Sequence, residues 1–125
     1  MRATTEQIPL ELQVGDITTR GVECGDQLLR HIDLPAGTDF TPLFVGLPGG
    51  LCQCPHWGTV LAGSITVTFA DGTSETVRAG DVYYWPAGHT GRTDEGVTFL
   101  EWSPTDEIRP VLEHLAAQLV PAGDA

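Results

Sequence analysis

Three potential metal ligands fall at alternate positions in one short segment, Leu51-Cys52-Gln53-Cys54-Pro55-His56-Trp57-Gly58. If this segment runs extended, Cys52, Cys54 and His56 project from the same side. Thiolate sulfur and imidazole nitrogen are the donors that late transition metals prefer. Buried free cysteines also serve as small hydrophobes, so the pair alone does not make a metal site. A Cys52–Cys54 disulfide would be strained, because strand residues two apart sit near the upper distance limit for that bond. His89, from a separate segment, supplies a fourth donor. The sequence thus nominates Cys52, Cys54, His56 and His89 as one ligand set.

Other candidates carry less pattern. Glu101 shares a strand face with Val97 and Phe99. If that face turns inward, Glu101 is a buried carboxylate able to act as a general base or to orient a ligand; turned outward, it is a solvated residue. Trp57, Tyr83 and Trp85 are the aromatic candidates for a pocket beside the metal, with core packing as the plainer alternative. His31 reads as a satisfied strand histidine, His114 as a solvated residue near a helix end, and Cys24 as packing.

The elements that must position these groups are mostly short strands. Segments 8–14, 17–24 and 28–34 are strand candidates, the last ending at Pro35-Ala36-Gly37. Another apolar run, 39–47, closes at Pro48-Gly49-Gly50. In 64–70, Ile65, Val67 and Phe69 alternate with polar residues, the period of a strand with one buried face. Asp71-Gly72 is a hairpin signal, and the chain returns through 75–78. Segments 82–85 and 97–102 are rich in β-branched and aromatic residues that suit a pleated surface. After residue 102 the period changes. Ser103 is placed to cap a helix, Pro104 to open it, and Asp106 and Glu107 to meet the positive end of its dipole. Ile108, Val111, Leu112, Leu115 and Leu119 then share one helical face, and Pro121-Ala122-Gly123 ends the helix. Many short strands with glycine-rich turns indicate a sandwich or closed barrel.

Composition narrows the partners. The chain has 125 residues, fitting one domain, and a formal net charge of -11 with six basic residues, all of them arginine. Such a surface repels phosphate backbones and anionic lipid headgroups, so neither nucleic acid nor membrane is an expected partner. Three cysteines without a signal-like leader do not resemble a secreted disulfide framework, and no apolar run reaches membrane-span length. The expectation is a cytoplasmic protein with reduced thiols.

The segment Gly80-Asp81-Val82-Tyr83-Tyr84-Trp85-Pro86-Ala87-Gly88-His89 resembles the second motif of the cupin superfamily: a Gly, five residues, Pro-x-Gly, then a ligand histidine. Gly63 fits the glycine closing the first motif, which puts His56 at the position of that family's Glu ligand. Two departures stand out. The family's His-x-His pair is missing, with Cys52 and Cys54 nearby instead. His89 directly follows Gly88, whereas the common pattern places the histidine where Gly91 stands. Residues 89 and 91 share a strand face, so an inward-pointing histidine survives the shift. The resemblance covers about residues 40–102 and implies an all-β, jelly-roll barrel over about 8–102 with a C-terminal helix over about 104–119, one domain across 1–125.

The resemblance also implies one late transition metal, zinc first by ligand type, with copper or iron as alternatives, and a small molecule as ligand or substrate. Cupins of this kind include oxygenases, isomerases and cyclases, and they commonly pair as homodimers. An open coordination position would make the site catalytic; a fully ligated or absent metal would leave a binding or sensing module.

Overall fold

The computed structural model describes residues 1–119, so the Pro121-Ala122-Gly123 helix stop lies outside the described residues. Eight strands and one long helix follow in order: β1 (Leu10–Val14), β2 (Ile17–Cys24), β3 (Gln27–Leu34), β4 (His56–Phe69), β5 (Ser74–Arg78), β6 (Val82–Trp85), β7 (His89–Arg92), β8 (Val97–Pro104) and α1 (Thr105–Leu119). Every strand pairing is antiparallel, as hairpin-rich, glycine-punctuated sequence favours. The architecture is a mostly antiparallel jelly roll closed at one end by a helix.

The strand expected over 64–70 proves to be the far half of β4. Its near half, from His56, pairs with β6 and β8. Its far half pairs with β5 and β7. One strand thus belongs to both sheets, and the changeover follows an irregularity in register between Val60 and Ala62. Gly63 lies there at φ 74°, where a β-carbon would run into the carbonyl of Gly96. Only glycine allows that backbone conformation and that approach together.

Two apolar clusters divide the interior. One, including Ile32, Val60, Ile65, Val67, Trp85 and Phe99, fills the barrel between the sheets. The other, Leu28, Phe44, Cys52, Cys54, Ile108 and Val111, seats α1 on the barrel. The apolar run 39–47 belongs to this seat. It carries a short 3-10 turn over Thr41–Phe44 rather than a strand, because Pro42 near its start suits a helical turn and lacks the N–H a sheet would use. Ser103 and Pro104 are the last residues of β8, and the helix opens at Thr105. Ser103 is fully buried and does not cap α1. No helix among the described residues is long and apolar enough to cross a membrane.

Candidate metal centre

The pleat of β4 decides which residues face inward. His56, Gly58 and Val60 are buried, whereas Trp57 and Leu61 are exposed. Gly58 is glycine for want of space: a β-carbon there would strike the carbonyl of Leu100 and the ring of Tyr83. On β7 the same alternation buries His89 and Gly91.

Cys52, His56 and His89 converge. One ligand atom from each lies within 4.8 Å of the other two, and all three side chains are buried. Cys52 Sγ is 3.4 Å from His56 Nε2, and the two imidazole rings meet edge-on with centroids 4.9 Å apart. Cys52 is held by main chain as well as side chain. Its N–H donates to the His89 carbonyl at 2.8 Å, and its own carbonyl accepts from the N–H groups of Gly88 and His89 at 2.8 and 3.2 Å. This isolated bridge clips the segment before β4 to the start of β7.

Cys54 is not part of the group. Its thiol is fully buried in the helix seat, and Sγ approaches the carbonyl of Pro55 at 3.4 Å. The alternate-position expectation failed because the chain is not one strand from 52 to 58: β4 begins only at His56, after Pro55. Cys52 and Cys54 both pack in the cluster under α1, but of the two thiols only that of Cys52 comes within 4.8 Å of both imidazoles.

Both imidazoles are oriented from behind. His89 Nδ1–H donates to the Pro86 carbonyl at 2.8 Å, leaving the Nε2 lone pair free. His56 Nδ1 lies 2.7 Å from Ser103 Oγ and 3.6 Å from Glu101 Oε2. Ser103, expected as a cap, is thus the partner that fixes the His56 ring. Burial holds His56 down to about 3, and burial with His56 nearby holds His89 down to about 4. Both rings are neutral at physiological pH, the form that binds metal. Burial pushes the thiols of Cys52 and Cys54 up to about 12, so metal uptake at Cys52 must displace a proton.

Glu101 faces inward and is almost wholly buried. Tyr83 Oη donates to its Oε1 at 3.2 Å, and Arg30 donates to its Oε2 at 3.4 Å. Burial raises the Glu101 carboxyl above its ordinary range despite the Arg30 guanidinium. Arg30 also donates through Nε to Glu11 at 3.0 Å. Arg30 and Glu11 were missed in the sequence, although a signal existed. Leu28, Arg30, Ile32 and Leu34 follow a period of two, which places the arginine on the apolar face of β3.

A cavity of about 140 Å³ opens beside the triad. Its walls include Ile65, Val67, Trp85 and Phe99 from the strands and Val111 and Leu115 from α1. Of the aromatic candidates, only Trp85 lines it. Tyr83 lies behind, stacked on Trp85 with centroids 3.8 Å apart. Trp57 is on the outer surface, 42% exposed and stacked on Tyr84. Since His56 points in, its neighbour Trp57 must point out. His114 is half-buried with its ring against Gly46, not solvated.

The site donor set fits a metal: one sulfur and two neutral imidazoles with their far nitrogens already hydrogen-bonded. Comparison with known proteins agrees on the fold. The EutQ-like cupin domain matches residues 52–100. A variant of the Bacillus subtilis oxalate decarboxylase OxdC superposes with a TM-score of 0.59 at 22% identity, over 79% of this chain and 28% of that one. A second OxdC structure, described for its Mn(II) centres, gives 0.58 at 21% over the same shares. An RmlC-like cupin from Shewanella frigidimarina gives 0.58 at 17%, over 82% of this chain and 88% of that one. This chain therefore spans little more than a quarter of the decarboxylase. No curated protein sequence matches it. With the double-motif core on two sheets and these matches together, the chain has the cupin fold, and its residues 52–100 are similar to the EutQ-like cupin domain.

Proposed function

We propose that this cupin holds one late transition metal, zinc first, on Cys52, His56 and His89, and presents it to a small molecule in the adjoining cavity. The observation that carries the reading is the convergence of three buried donors from two segments within 4.8 Å. Thiolate with imidazole favours zinc over the harder metals that carboxylate-rich sites take. With three protein donors, a bound metal would keep a coordination position for water or a small molecule, as reactive rather than closed structural sites do. A metal there would act as a Lewis acid on a bound oxygen or water. Around it this chain's own residues have defined tasks. Ser103 and the Pro86 carbonyl hold the imidazoles, α1 walls the cavity with Val111 and Leu115, and Glu101 holds a proton-accepting carboxyl next to His56.

The three free thiols support residence in a reducing compartment such as the cytoplasm. The exposed Trp57, Tyr84 and Trp102, side by side on β4, β6 and β8, support pairing with a second copy as a homodimer.

Elemental analysis of protein purified without added metal tests the site. The expected result is about one zinc per chain, lost in His56→Ala and in His89→Ala and kept in Cys54→Ala. Metal content unchanged in both histidine variants would overturn the assignment.

A further inference from the structure

We infer that α1 beyond Pro110 is a gate: its far half lifts off the barrel about the turn 106–110 and so admits ions and small molecules to the cavity and to Cys52, His56 and His89. The inference adds a route to the site proposed above and rests on that reading for what passes through.

The two walls of the cavity are held differently. Toward the barrel it is bounded by strands whose main chains are joined in antiparallel ladders. Parting two of those strands breaks a row of backbone hydrogen bonds. Toward the helix the wall is Val111, Leu112, Leu115 and Leu119. That wall is fastened only near its start. Thr105 N–H donates to the Asp26 carbonyl at 3.0 Å, Arg109 pairs with Glu23, and Ile108 and Val111 are buried. From Pro110 to Leu119, no hydrogen bond or ion pair joins α1 to the barrel among the described residues. After Val111 every described residue of α1 is half-buried or exposed. Lifting this half gives up apolar contact alone.

The hinge is written into the sequence. Pro110 lies inside α1. It has no N–H for the Asp106 carbonyl, and its ring crowds that carbonyl, so the helix is weakest just past its anchored start.

The closed seam also carries a polar cost. His114 sets its ring against Gly46, so close that a β-carbon there would stand 3.0 Å from it. Its Nε2 is buried without a hydrogen-bond partner among the described residues. In either tautomer that nitrogen is a donor or an acceptor left unmet, and lifting the helix gives it water. The cost narrows the gap between closed and open, as a lid requires.

The thiols beneath the gate supply the probe. Cys52 and Cys54 pack under Ile108 and Val111, 1% and 0% exposed, so a reagent reaches them only when the seat opens. The test uses the metal-free full chain carrying Cys24→Ser, which removes the partly exposed thiol. Alkylation of Cys52 and Cys54 by iodoacetamide at fixed pH, read by mass spectrometry, is expected at least about tenfold faster than global unfolding permits. It should depend only slightly on urea, because lifting α1 exposes little surface. Pro110→Ala returns the missing N–H, and His114→Leu removes the unpaired nitrogen. Each is expected to slow labelling about tenfold, the worth of one hydrogen-bonding group. Zinc uptake in stopped flow should slow by the same factor, still as one bimolecular phase, because opening and closing outpace capture. Labelling that tracks global unfolding in urea, labelling unchanged in both variants, or zinc uptake at its original rate in a variant with slowed labelling would overturn the inference. A chain that takes up no zinc would sink the metal reading and leave the thiols to decide the gate, so the two failures are distinguishable.

Discussion

Trp57 and Trp85 are cross-strand diagonal neighbours on β4 and β6, yet one is 42% exposed and the other 3%. Between the two faces of this one sheet the same residue types do opposite work. Inside, Trp85 and Tyr83 pack in a buried layer beside His56, Glu101 and Arg30. Outside, Trp57, Tyr84 and Trp102 form a ribbon in water. The contrast teaches that position on the pleat, more than side-chain chemistry, assigns a residue to the centre or to the surface. It also gives an energetic asymmetry: polar contacts inside are desolvated and costly to break, while contacts outside compete with water.

The largest effect that sharpens this comparison should come from the inner charge group. Arg30→Ala leaves Glu101 buried without its guanidinium, and about 3–5 kcal/mol of stability should be lost, read from urea unfolding. If the loss matches that of an exposed arginine such as Arg78, the inner face is wetter than its burial implies. Next is Ser103→Ala, which removes the contact behind His56. Metal affinity should fall about 10–100-fold by competition with a chelator, while the fold persists.

The pH dependence of metal-free stability probes the same face. His56 and His89 are held below their ordinary values when folded, so the unfolded chain binds more protons as pH drops below about 6.5. Stability is then fully present above that pH and falls on acidification, by as much as about 1.4 kcal/mol per pH unit for each imidazole, down toward pH 4. The Cys52 thiol, pushed up to about 12, acts in the other direction, and stability should fall as pH rises above about 9. Urea midpoints across pH 4–10 would show a plateau near neutrality; a flat profile would mean the imidazoles are hydrated. The smallest effect belongs to the outer face. Trp57→Ser should cost about 1 kcal/mol or less in the isolated chain, the worth of one exposed aromatic pair, while weakening self-association in sedimentation.

Much of the barrel was legible because alternation and turns are local. Ile65, Val67 and the Asp71-Gly72 hairpin announce β4 and β5, and Gly80 through His89 carries its own motif. The centre was half legible. His56 and His89 could be nominated by type and spacing, but choosing Cys52 over Cys54 required knowing where β4 begins. That depends on Pro55 and on the bridge to His89, a contact across 37 residues of chain. Trp57 was the avoidable miss, since an inward His56 already excludes it. Ser103 was read as a cap because its local context suits one. What overrides that context is His56, 47 positions away.

The main-chain bridge between Cys52 and His89 has a last consequence, for how an ion would arrive. Two of the three donors are joined by backbone hydrogen bonds that owe nothing to a metal. The cage is therefore preassembled, and little ordering entropy stands between the empty and loaded states. Loading should proceed as a single bimolecular phase without refolding, and the melting temperature should climb with free ion concentration by simple mass action.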